Sequence, residues 1–259
     1  MKSLASLFAV VTALTALTPP IAASQQMTVP WRVGERAEYE VRFSGARLGS
    51  GSMEVMDIVP IRGKDAWHTQ FRIKGGTFFF KVNDVFESWT DVTNMTSLRY
   101  HSDQDEGPNE RVKQYEIFPD RAVYIEKTAK GAGATTERPS VDKPLDDGSF
   151  LYFIRTVPLE VGQTYTFDRY FRPDRNPVTI KVLRKERVKV PAGEFDAIVI
   201  QPLIKTRSGS LFSEEGEAQV WLTDDRSRIM LQMQSKLKIG SINLYLKSYR
   251  PGNAAPASR

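Results

Sequence analysis

The chain of 259 residues contains no cysteine and only two histidines, His68 and His101. Without cysteine there is no disulfide to staple the fold, and no lipid can be attached through a cysteine. Zinc sites draw three or four converging ligands. Two histidines, each on the polar side of its strand pattern, are a poor set, so neither a metal nor any other cofactor is expected. The serine-hydrolase pattern G-x-S-x-G is absent. Phosphate-binding glycine loops and nucleic-acid motifs are absent too, and nucleic acid is not expected as a partner. Beyond residue 17 no apolar run is long enough to cross a bilayer as a helix.

What is present begins with an export signature. Met1 to Leu17 opens on Lys2 and continues as an apolar run from Leu4, with small residues at Ala22, Ala23 and Ser24. That pattern is a secretory signal peptide over 1–24. A soluble periplasmic protein, not a lipoprotein, is the expectation. Hydrophobic residues make up 41% of the chain and charged residues 26%, enough for a real core. The net charge is +5, and loss of Lys2 lowers it by one. So mild an excess suits an anionic envelope surface or a simple solvated exterior.

The clearest structural signal lies in Gly216–Arg250. Ile229, Leu231, Met233, Ser235, Leu237 and Ile239 alternate with polar residues, the mark of a half-buried strand. Gly240-Ser241 reads as a two-residue turn placing Leu237 opposite Leu244 and Ser235 opposite Leu246. The turn Asp224–Ser227 places Leu222 opposite Ile229 and Val220 opposite Leu231. Earlier alternations predict strands in 35–43, 49–59, 66–74, 77–90, 98–102, 111–118 and 121–128. Later ones fall in 163–171, 177–183 and 195–204. Residues 129–140 read as a loop. Asp146–Ser149 can cap a helix through Phe150, Phe153, Ile154 and Val157, stopped by Pro158.

The fold class expected is therefore all-β. About a dozen strands form a large curled antiparallel sheet or open barrel with one short helix. A single domain over 33–249 can be divided into two similar half-units, 33–128 and 161–249, joined by the loop and helix of 129–160. The division rests on Val33-Gly34-Glu35 beside Val161-Gly162-Gln163, and on Trp89-Thr90-Asp91 beside Trp221–Asp224. Residues 251–259 read as a disordered tail. An outer-membrane barrel shows similar alternation, but the helix and the charged run Arg184–Lys189 argue against it.

VGERAEYEV near the start, DDGSFLYFIRTVPLEVG in the middle, PAGEFDAIVIQP and VWLTDDRSRIMLQMQSKLKIGSINLYL are similar to the bacterial exported family known as domain of unknown function 3108. The resemblance runs from Val33 to Tyr249. It implies an all-β exported protein and brings no catalytic residue with it.

The function expected is a non-catalytic envelope protein that binds a lipid-like or other hydrophobic ligand, with an envelope protein as the other partner class. The candidate ligand-binding residues are Phe78, Phe79, Phe80, Trp89 and Trp221. The phenylalanine run cannot bury all three rings on one face. Trp221 falls on an otherwise polar face, where so large an aromatic needs cover. The helix, or a loop, is expected to pack over it. One alternative is a cell-wall hydrolase using Asp91 and Asp224 as a carboxylate pair; the other is a structural partner in an envelope assembly. Asp103–Gly107 looks like a calcium loop until its twelfth position, Gln114, where glutamate is required. Ser140–Lys143 matches S-x-x-K but sits in a polar linker.

Overall fold

The computed structural model describes residues 27–77, 80–106, 109–128, 136–205, 218–236 and 241–253. The signal segment, Phe78, Phe79, the Gly240 turn and most of the 251–259 tail lie outside these residues. The first arm comprises β1 (Arg36–Phe43), β2 (Ala46–Ile61), β3 (Lys64–Thr77), β4 (Phe80–Asp91), β5 (Ser97–Glu106), β6 (Asn109–Phe118), β7 (Val123–Thr128) and β8 (Glu137–Pro139). Helix α1 (Asp147–Phe153) follows. The second arm comprises β9 (Thr164–Phe167), β10 (Val178–Val190), β11 (Gly193–Ile204), β12 (Gln219–Thr223), β13 (Met230–Lys236) and β14 (Ser241–Arg250).

All fourteen strands form one sheet, in the order β8 down to β1, then β14 down to β9. Every neighbouring pair is antiparallel. The two arms meet at β1 and β14, the first and last strands. Strand pairing does not close the sheet. The segments beyond its two edge strands meet instead, through a parallel bridge between Leu145 and Tyr170. Leu145 N donates to Arg169 O at 2.5 Å, and Phe171 N to Leu145 O at 2.9 Å.

Alternation decides which face each residue takes. On β1, Ala37, Tyr39 and Val41 are buried, while Arg36, Glu38, Glu40 and Arg42 are not. The apolar face continues through Met53, Val55, Phe71 and Ile73 into one contiguous core. The charged run Arg184–Lys189 lies within β10, its side chains alternating out of the core.

The hairpin registers differ from those expected. Val220 pairs with Met233, and a bulge then brings Leu222 opposite Met230. Ser235 pairs with Ile242 rather than Leu246, and Lys236 with Ser241. A shift by an even number of positions keeps each side chain on its face, so alternation alone could not choose between these registers. Between β6 and β7 the chain makes a 3₁₀ turn over Pro119–Arg121, so β7 begins at Val123 and not at residue 121.

Helix α1 fills the concave side. Asp146 caps it, its carboxylate accepting from the Gly148 and Ser149 amides, and the Ser149 hydroxyl accepts from the Asp146 amide in return. From Gly148 to Phe153 every residue is buried, as an apolar helix enclosed on all sides must be. Gly148 is required by close approach: a Cβ there would collide with the Ser88 hydroxyl of β4. α1 packs against β3 and β4, which corrects the expectation that it shields Trp221.

The openings of the two candidate half-units carry the same bonds. Gly34 N donates to Val55 O and Val55 N to Glu35 O; Gly162 N donates to Val182 O and Val182 N to Gln163 O. Both glycines adopt left-handed φ, +84° and +85°.

Candidate functional site

The β10–β11 hairpin reaches back over the sheet. A bulge between Val182 and Arg184 bends it, and its tip lands on β14, where Ala192 N donates to Leu246 O at 2.9 Å. Beneath it opens a cleft of about 430 Å³. Its apolar lining is Ala192, Phe195, Ile229, Leu231 and Leu246; Thr223, Lys247, Ser248 and Tyr249 supply the polar groups. Leu231 and Leu246 belong to the same buried core as Met233 and Leu244.

Behind the cleft sits a buried ion pair. The Tyr249 hydroxyl donates to Glu35 at 3.1 Å. Burial, with Glu35 beside it, raises the phenol to about 12, so it stays neutral and donating. Glu35 takes two bonds from Arg155, at 2.6 and 3.2 Å. Arg155 also donates to Ser227 O at 2.9 Å and lies over the Trp31 ring. Burial works against the Arg155 cation, but Glu35 outweighs it and raises its pKa.

The groups lining the cleft are hydrocarbon, hydroxyls, a neutral phenol and one ammonium. They can hold an apolar segment and orient a polar end. They include no carboxylate or imidazole to act as a base.

Of the residues singled out by sequence, those whose side chains are described do not line this cleft. Phe78 and Phe79 lie outside the described residues, as does the side chain of Phe80, whose backbone pairs with Thr77. Trp89 is only 8% exposed. It sits on the outer face with His68 stacked at 4.5 Å and His101 edge-on at 4.8 Å. Burial would lower the His68 pKa, but bonds to Glu87 and Asp57 raise it; burial and Arg99 lower that of His101. Trp221 is 5% exposed, and its indole N–H donates to Glu186 of β10 at 2.6 Å.

Asp91 and Asp224 each serve their own corner. Asp91 accepts from the Thr93 amide and hydroxyl at 2.8 and 2.6 Å. Asp224 pairs with Lys185 at 2.8 Å and Arg228 at 3.6 Å. They share no partner, and both sit in turns, as Asp commonly does.

The sequence matches the profile of a family described as protein of unknown function (DUF3108) over residues 38–247. Among solved structures, a β-barrel-like protein of domain of unknown function DUF1849 from Brucella abortus aligns with a TM-score of 0.54 at 12% identity, covering 87% of this chain and all of that one. A lipoprotein candidate from Parabacteroides distasonis (TM-score 0.33, 11% identity) and a candidate exported protein of YmcC-like fold from Bacteroides fragilis (0.32, 12%) each cover 87% of this chain and all of their own. At such identities the Brucella likeness is one of fold alone. No curated protein matches the sequence. Among the described residues no helix is long and apolar enough to cross a membrane. The chain belongs to the DUF3108 family.

Proposed function

We propose that this chain is an exported envelope protein of the periplasm that holds an apolar segment of a ligand, such as an acyl chain, in the cleft between the β10–β11 hairpin and β13–β14. The observation that carries this reading is the cleft itself: half-buried Phe195 and Ile229, backed by the buried Leu231 and Leu246, line a space of about 430 Å³. That is the size of small-molecule sites, and the lining likewise combines an apolar part with a few polar groups. The signal-like segment at 1–24 and the absence of cysteine support a free periplasmic location.

Native mass spectrometry of protein purified from its own periplasm tests the reading, together with titration of a fluorescent fatty acid. Ala192 is exposed at the cleft's edge and uses only its backbone to reach β14. Ala192→Trp should therefore fill the space without disturbing the core. The expected result is saturable probe binding that drops about tenfold or more in the variant, at unchanged melting temperature. A wild-type protein that carries no lipid and binds no probe sinks the reading.

A further inference from the structure

The outer face carries a second concavity, which shares Lys247 with the cleft but none of its apolar lining. Strand β2 has Ser50, Gly51 and Ser52 in succession, three residues with little or no side chain. Long side chains flank them. Ser50 pairs with Lys74, and Ser52 with Arg72 on β3; Arg36 stands on β1. β14 carries one extra residue where Glu38 pairs with Ser248 and Tyr39 with Leu246. That residue, Lys247, is aimed by the bulge. Short residues in the middle and long cations around them leave a hollow of about 230 Å³.

What sets it apart is that, among the described residues, three cations without an ion pair line one concavity. Many basic side chains find carboxylates: Arg62 and Arg99 meet Glu116, Arg184 meets Glu186, Lys185 meets Asp224, and Arg187 and Lys189 meet Glu194. Around the hollow only Arg36 does, with Glu38 and Glu54. Among the described residues Arg72, Lys74 and Lys247 stand in no ion pair; Arg72 donates to the neutral Asn83 at 3.1 Å. Glu38, the one carboxylate on the rim, is held below the usual range by bonds from Arg36 and Ser248, with Lys247 adding its charge. Three uncommitted cations around two hydroxyls make a donor set suited to an oxyanion.

We propose that this hollow binds a phosphate-monoester-class oxyanion, as a free ion or as the headgroup of an envelope lipid. Lys74 and Lys247 bring the charge, Arg72 a planar donor pair, and Ser50 and Ser52 the hydroxyl donors. Lys247 borders both concavities, but Lys74, Arg72, Ser50 and Ser52 line the hollow alone, and Ala192→Trp should leave anion binding untouched. The purified protein is titrated with inorganic phosphate while the Ser50, Gly51 and Ser52 amide resonances are followed. Sedimentation with phosphatidylcholine vesicles, with and without phosphatidic acid, is the second arm. Saturable shifts with inorganic phosphate identify a free-ion site; sedimentation that requires phosphatidic acid identifies a headgroup site. In either arm Lys74→Gln with Lys247→Gln should weaken binding about tenfold or more. Arg187→Gln with Lys189→Gln, an equal loss of charge elsewhere, should not. No binding in either arm overturns the proposal, as does an equal loss in both double variants.

Discussion

At the scale of single residues, the most consequential contact is the pair Glu35–Arg155, whose side chains are 8% and 4% exposed. The sequence gives no sign of it, because the partners are 120 positions apart and ordinary in their local patterns. Removing one charge leaves the other buried. Arg155→Ala would strand Glu35 with only the Tyr249 hydroxyl and free the Ser227 carbonyl of its donors. The expected cost is about 3–5 kcal/mol. Replacing both, as Glu35→Leu with Arg155→Met, removes the stranded charge as well as the pair, and should recover a large part of that loss. Urea midpoints of the two variants decide between a charge penalty and a packing role. If the double variant is as unstable as Arg155→Ala, the loss comes from packing on Trp31 and Tyr152.

At the scale of elements, α1 is held by its cap. The Asp146 carboxylate accepts from the Gly148 and Ser149 amides and from the hydroxyls of Ser88 at 2.5 Å and Ser97. Burial raises its pKa from 3.8 to about 6, against the pull of those donors. The folded state then keeps a proton that the unfolded chain loses above about pH 3.8, so this group lowers stability as pH rises through about 6. Asp146→Asn keeps an oxygen for the amides and cannot ionise. Its urea midpoint should gain on the wild type between about pH 4 and 6; a difference that stays flat or falls means the four donors keep the carboxylate charged. The cap and helix were legible, since Asp146-Asp147-Gly148-Ser149 before an apolar run is a local signal. Strand faces were legible for the same reason. Hairpin registers were not, because shifts by two or four residues keep the alternation intact. The cleft was least legible of all: Phe195 and Leu246 belong to separate hairpins, and only the bend of β10 brings them together.

At the scale of the whole molecule, the pairing of β1 with β14 joins the arms, and no turn in the sequence announces it. Its consequence is topological. If the ends of the described chain were joined, the sheet would read β9 to β14 and on through β1 to β7 as one uninterrupted meander, with only the three-residue edge strand β8 out of order. The ends are close, since Asn253 N donates to Val33 O at 2.9 Å. A circular permutant linked by about ten Gly/Ser residues and opened within 129–135 should therefore fold to the same sheet. The β1–β14 contacts, now the longest in sequence, would become those of a local hairpin. Because folding slows as contacts become less local, the permutant should refold several-fold faster than the native chain. Stopped-flow refolding alongside far-ultraviolet circular dichroism measures both claims. A permutant with native dichroism and unchanged or slower refolding would mean that β1–β14 pairing forms after the rate-limiting step. One that fails to fold would mean that the link from β7 through β8 to α1 is needed to seat the helix inside the sheet.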